Sequence, residues 1–210
     1  MKRRPAPISR SLLAAMLFAA LAGRILAQTN APKTTSAAPP EASAPAKKPD
    51  VVFVPTRPEV VDKMLEMAEI RTNDILYDLG CGDGRIVVAA ARKYGIKAVG
   101  VDIDPARIKE SLENVRTNNV AHLVTIKQAD IFELDFHEAT VVTLYLLPEL
   151  NVRLMPKLAK LKPGARIISD EFDMKGAKPK EVVHLDPSPD DDNGESQSTL
   201  YKWVVPWEPE

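Results

Sequence analysis

The chain has 210 residues, 45% of them hydrophobic, which is enough for one domain of ordinary size with a buried core. Its 28 basic and 29 acidic residues leave a formal charge of −1, so no overall field draws it to nucleic acid or to an anionic membrane. One cysteine, Cys81, excludes an intrachain disulfide and a cysteine-based metal cluster.

Residues 1–27 read as a secretory signal peptide. Lys2-Arg3-Arg4 precede an apolar stretch from Leu12 to Ala22, and Gly23-Arg24-Ile25-Leu26-Ala27 supply a small-residue cleavage site. The apolar run is far shorter than the ~20 residues that span a bilayer, so membrane contact is expected only through an uncleaved leader. The expected location is periplasmic or secreted in a bacterium; in a eukaryote the same acid-free, arginine-bearing leader would suit a mitochondrial protein. Losing Lys2, Arg3, Arg4, Arg10 and Arg24 takes the formal charge from −1 to −6. Residues 28–50, rich in Ala, Pro, Ser, Thr and Lys, are expected to be a disordered linker, and 51–210 the folded domain.

Thr56-Arg57-Pro58-Glu59 has the spacing of a capping box, and Val61, Met64, Leu65 and Ala68 follow at helical intervals. Asp74 to Leu79 then reads as a strand, Gly84 to Tyr94 as a helix stopped by Gly95, and Lys97 to Ile103 as a second strand. Asp104-Pro105 starts a helix with Ile108, Leu112 and Val115 on its buried stripe, and Leu123 to Ala129 is the third strand. The nearly continuous apolar run Ala139 to Leu146 suits a central strand covered on both faces. A helix through Leu150, Leu154 and Leu158 is expected to end near Pro163-Gly164, followed by a strand from Ala165 to Ser169. Glu181 to Leu185 and Ser198 to Val205 form a final pair around an acidic loop. This alternation predicts an α/β fold: a Rossmann-like, doubly wound, seven-stranded sheet, mostly parallel with an antiparallel last strand and helices on both faces. Its ligand crevice belongs at the strand C-termini beside the topological switch point.

The strongest chemical signal is Tyr77-Asp78-Leu79-Gly80-Cys81-Gly82-Asp83-Gly84-Arg85, a strand running into a glycine-rich turn that opens a helix. Gly80 and Gly82 let the backbone approach a ligand, and Gly84 allows close packing at the helix start. The G-x-G-x-G spacing, with Asp83 inside it, differs from the dinucleotide fingerprint and would repel a pyrophosphate, which disfavours a nicotinamide-dependent oxidoreductase. Asp78 and Asp83 suit instead a ligand bearing an ammonium and a sulfonium. Asp102 ends the second strand where an acid accepts from ribose hydroxyls, with Ile103 beside it. Asp130 ends the third strand, placed for an adenine amino group, with Ile131 and Phe132 near the ring.

Asp78-Leu79-Gly80-Cys81-Gly82-Asp83-Gly84, Gly100-Val101-Asp102-Ile103-Asp104 and Gln128-Ala129-Asp130 resemble the cofactor motifs of class I S-adenosylmethionine (SAM) dependent methyltransferases. Phe53-Val54-Pro55-Thr56 and Leu144-Tyr145-Leu146-Leu147-Pro148-Glu149 are further similar to the mitochondrial protein-lysine methyltransferases of the adenine nucleotide translocase and of the ATP synthase, and to their bacterial relatives. The resemblance implies SAM as cofactor, bound at Asp78, Gly80, Cys81, Gly82, Gly84, Asp102, Ile103, Asp130 and Ile131. It implies methyl transfer to a protein lysine, with a small-molecule acceptor as alternative.

Such a transfer is an in-line displacement that needs the acceptor amine neutral and correctly placed. Tyr145 and Glu171, after the fourth and fifth strands, are the leading candidates to act on that amine, although Glu149 and the Asp170 to Asp173 acids also suit a helix first turn and a solvated loop. Phe53 is either a lid over the cofactor or a staple on the first helix. Cys81 has no histidine partner and fills the turn. His122, His137 and His184 lack ligand spacing, so no metal is expected. Trp203 and Trp207 are expected to pack the last strand. Because SAM is made in the cytosol, an exported chain also raises the alternative of a non-catalytic SAM- or nucleoside-binding module.

Overall fold

The computed structural model describes residues 53–186 and 197–210. The leader expected at 1–27, the linker at 28–50 and the acidic run Asp190-Asp191-Asp192 lie outside the described residues.

The elements in chain order are α1 (Pro58–Met67), β1 (Ile75–Leu79), α2 (Arg85–Tyr94), β2 (Lys97–Asp102), α3 (Pro105–Thr117) and β3 (Val124–Gln128). There follow β4 (Val141–Leu144), α4 (Pro148–Leu158), β5 (Arg166–Asp170), β6 (Glu181–Leu185) and β7 (Ser198–Val204). The strands form one sheet in the order β3-β2-β1-β4-β5-β7-β6, with β7 alone running antiparallel to its neighbours. The expected doubly wound topology is present, and the order reverses between β1 and β4.

Helices cover both faces. α1, α2 and α3 pack on one side, where Met64, Leu65, Val87 and Ala90 are fully buried. α4 covers the other through Leu154 and Leu158, over Leu79, Val142, Leu144 and Ile167. Each such side chain contributes about 1.5–3 kcal/mol when fully withdrawn from water, and this two-sided cover leaves every residue of β4 and β5 buried. Trp203 is wholly buried and donates its indole N–H to the Ala177 carbonyl at 2.7 Å, while Trp207 packs partly buried against the same core.

Several boundaries differ from the sequence pattern, most by a single residue, and three have a structural cause. Arg57, not Thr56, is the N-cap of α1, without a side-chain cap bond; the Thr56 side chain is buried elsewhere, so the capping box does not form. β4 stops at Leu144, where its pairing with β1 and β5 ends, and Tyr145-Leu146-Leu147 leave the sheet. α4 ends at Leu158, well before Pro163, because the chain turns through Ala159 to Lys162 to reach β5.

The end of the sheet away from the glycine turn is held by charge. Arg166 and Asp74, both about 5% exposed, pair at 2.5 Å, and Asp74 also accepts from the Thr140 hydroxyl and the Arg71 N–H. Burial works against the Asp74 carboxylate, but these partners together hold it below its ordinary range. Lys202 on β7, almost fully buried, reaches Glu69 just beyond α1 at 2.5 Å. The opposite strand ends are left open.

Candidate active site

A cavity of about 270 Å³ opens at the C-terminal ends of β1, β2, β3 and β4. Asp78, Gly80, Cys81, Asp102, Ile103, Asp130, Ile131 and Tyr145 line it. Gly82 and Gly84 belong to the turn beside it and Glu171 precedes its Phe172 wall, but none of these three lines it.

The turn after β1 is built by its backbone. The N–H groups of Gly80 and Cys81 both donate to the Val101 carbonyl of β2, at 2.8 and 2.9 Å. Gly82 has φ +53, and a Cβ there would overlap the Phe53 ring. Gly84 caps α2 at φ +76, and a Cβ on it would come within 2.8 Å of Ser111 Cβ on α3. The turn is therefore closed on one side by α3 and covered on the other by Phe53. The Cys81 thiol is buried beside Gly100, and burial, with the Asp78 and Asp102 charges, pushes its pKa far up, so it fills space and supplies no nucleophile.

Asp102 fixes this turn from β2. One carboxylate oxygen accepts from the Gly82 N–H at 2.9 Å and the other from the Asp104 N–H at 2.9 Å. An ionised carboxylate has about four lone-pair sites, so two remain for ribose hydroxyls.

Asp78 is fully buried and accepts from the Thr143 hydroxyl of β4 at 2.7 Å. Burial, reinforced by the Asp102 and Asp83 charges and opposed by Thr143, raises its pKa to about 7. A buried carboxylate so short of positive charge has the chemistry to accept an ammonium group. Thr143 was visible in sequence as a polar break in an apolar run, but its partner was not.

Asp83 does not serve as a second free anion, as its position in the turn suggested. Arg85 clamps it with three side-chain contacts, the shortest 2.6 Å, which together with its other partners overcome burial and hold Asp83 below its usual range. The same guanidinium donates to the Thr56 carbonyl at 2.7 Å, tying the 53–57 segment to the turn. Phe53 consequently lies over Gly82 in the cavity wall, with the Arg107 guanidinium 4.8 Å from its ring centre.

Asp130 lines the cavity past the end of β3 and accepts from the Phe132 N–H at 2.9 Å. α4 braces this wall: Arg153 stacks on Phe132 at 3.7 Å, and Lys157 donates to the Phe132 and Leu134 carbonyls at 2.5 and 2.8 Å.

The other end is apolar. Val54, Tyr145, Leu147, Leu150 and Phe172 line it, and the Tyr145 and Phe172 rings lie 6.3 Å apart. Glu171 takes a left-handed φ of +64 and donates its N–H to the Thr199 carbonyl at 2.9 Å. Its charge still reaches the site, because burial first, then Asp170 and Glu171, raise the Tyr145 pKa. Asn151 on α4 fixes the Phe172 loop, donating to the Ser169 hydroxyl and the Phe172 and Asp173 carbonyls at 3.2 to 3.3 Å. Sequence reasoning missed Asn151 because a lone polar residue on an amphipathic helix carries no positional signal.

These residues fit SAM: a buried anion for its ammonium, a glycine cradle, and strand-end acids for an adenosyl group. When bound, it supplies a methyl group on a sulfonium.

Known proteins agree with this geometry. Residues 78–181 match the family described as the ANTKMT methyltransferase domain. A protein of Saccharolobus islandicus named protein-lysine N-methyltransferase is 46% identical over 159 residues, 75% of this chain and 95% of that one. A Xenopus laevis protein, named as a lysine N-methyltransferase of the ATP synthase, is 34% identical over 61% of this chain, which spans only 57% of its length. A solved structure of Salinibacter ruber, described as an RNA methyltransferase in complex with S-adenosyl-L-homocysteine, is 47% identical with a TM-score of 0.67, covering 74% of this chain and 95% of that one. Identity at this level along almost the whole of a relative, over a cavity of this shape, makes the chain a member of the SAM-dependent methyltransferases with the ANTKMT methyltransferase domain.

Proposed function

We propose that the methyl acceptor is the side chain of a protein lysine. The carrying observation is the 46% identity to a protein-lysine N-methyltransferase along 95% of that relative. The apolar acceptor end supports it, because a low-polarity wall of Val54, Leu147 and Phe172 disfavours the ammonium and helps a lysine shed the proton that its reference pKa of about 10.4 would keep on. In this reading Tyr145, held as a neutral phenol, contacts the acceptor amine, and Glu171 places negative charge behind it. The chain's near-neutral composition offers no field for RNA, the acceptor class in the name of the Salinibacter relative.

The test supplies the chain with methyl-labelled SAM and a cell extract containing both protein and RNA. Label is expected in protein, recovered as methyl-lysine after hydrolysis and resistant to ribonuclease. Label confined to RNA or to small molecules would refute the lysine reading.

We infer also that residues 1–27 direct the chain out of the cytosol, supported by the charged, apolar and small-residue order of that segment. N-terminal sequencing of the protein isolated from its source is expected to begin at Gln28. An intact Met1 terminus on cytosolic protein would end that inference.

A further inference from the structure

One buried acid has no part in holding the cofactor. Asp170 ends β5 and is 2% exposed, and one of its carboxylate oxygens has no hydrogen-bond partner. The carboxylate accepts from the Thr56 hydroxyl. Successive β5 side chains alternate: Ser169 meets Asn151 on the α4 side, and Asp170 meets the 53–57 segment on the other. Thr56, Tyr145 and Phe172, its neighbours in this arrangement, all belong to the cavity wall at the apolar end.

An unpaired oxygen in a buried carboxylate is costly, about 1–3 kcal/mol or more where the group is charged, and a core position without function would favour an apolar residue or a complete set of partners. The structure supplies neither. Other charged and titratable groups around it are Glu171 in the following turn, Arg57 in the 53–57 segment, and Tyr145 after β4. Burial and the Glu171 charge push Asp170 up to about 7, against Thr56 and Arg57, which lower it. Asp170 does not itself line the cavity, so its charge reaches a ligand there through the neighbours that do.

Resting on the lysine reading above, we propose that Asp170 is a positioning residue for the acceptor: through Thr56 and through its charge on Tyr145, it favours arrival of a primary amine in its cationic form over a neutral group of the same shape, before the apolar wall favours the neutral amine that accepts the methyl group. Thr56 also carries the bond to Arg85, so the residue that meets Asp170 is anchored to the glycine turn. The acceptor end and the cofactor end are thereby set by one short segment.

The test uses the full chain saturated with S-adenosylhomocysteine, with n-butylamine as the lysine side-chain probe and n-butanol as its neutral counterpart, both followed by ligand-observed NMR. The unmodified chain is expected to prefer the amine by about tenfold or more near pH 8.5, the scale of one favourable charge interaction in a partly desolvated site. The preference should fall at least about fivefold by pH 5.5, where Asp170 is protonated and the amine still charged. Asp170→Asn should bring amine and alcohol to parity at both pH values, with S-adenosylhomocysteine affinity changed less than about twofold. Thr56→Val should weaken the preference without abolishing it.

A wild-type chain without amine preference, or one whose preference does not depend on pH, overturns the proposal even if Asp170→Asn does not fold. A folded Asp170→Asn that keeps the preference overturns it as well. Amine selection that depends on Asp170 in a chain that methylates no protein lysine would instead refute the lysine reading and leave this one standing.

Discussion

Asp102→Ala is expected to lower the affinity for SAM and for S-adenosylhomocysteine by about 100-fold or more, the combined loss of ribose acceptors and of the cradle they help to hold. The carboxylate spans Gly82 and Asp104, so its removal leaves two backbone N–H groups without partners at the turn itself. Stability should drop by about 1–3 kcal/mol, which denaturant titration resolves from the binding loss. Asp102→Asn keeps one acceptor oxygen and should fall between wild type and the alanine variant in both measurements. Calorimetric titration with SAM, S-adenosylhomocysteine and NAD decides the matter. Unchanged adenosyl affinity in Asp102→Ala, or binding of NAD alone, would remove the cofactor assignment.

At Asp78 stability and binding should move in opposite directions. In the free protein this acid titrates near 7, above its ordinary value of 3.8. Between those values the folded chain holds a proton that the unfolded chain releases, so its contribution to stability is fully present below about pH 4 and is lost as pH rises through about 7. A cofactor ammonium placed beside Asp78 favours the ionised form, and binding below neutrality must expel that proton. Affinity should therefore rise by up to about tenfold per pH unit below 7 and level off above it, with proton release visible in buffers of different ionisation enthalpy. Asp78→Asn keeps the shape and an acceptor for Thr143 but loses the charge. At about pH 8 it should be at least as stable as wild type, bind SAM about 30-fold or more weakly, and lose the pH dependence. A variant that is less stable yet binds normally would show that Asp78 serves the fold and not the ligand.

The sequence carried the architecture because its signals were local and repeated. Apolar strands alternating with amphipathic helices, and Asp104 capping α3 by accepting from the Ala106 N–H at 2.8 Å as Asp104-Pro105 suggested, lead to one doubly wound order. The positions of Asp78, Asp102, Ile103, Asp130 and Ile131 around one cavity were legible for the same reason, since each lies at or just past the C-terminal end of a strand. What was not legible depended on partners distant in sequence. Asp83 looked like a free anion because Arg85 is also a normal first residue of a helix; only the folded chain shows the guanidinium turning back on it. Thr56 has the spacing of a cap, but Arg85 and Asp170 together pull it inward. Glu171 and Asp170 are adjacent in sequence, and the period of the strand together with a left-handed turn sends them to different surroundings.

The buried pair of Arg166 and Asp74 lies at the end of the sheet opposite the cavity. Fastened there by charges that cannot be lost singly without leaving the other stranded, the strands present their remaining ends as a mounting surface for the loops that line the cavity. Residues 145–147 and 171–173, just past the ends of β4 and β5, are then the parts free to vary with the acceptor. A lineage can exchange them to suit a new acceptor while the methyl-donor seat and the frame beneath it stay as they are.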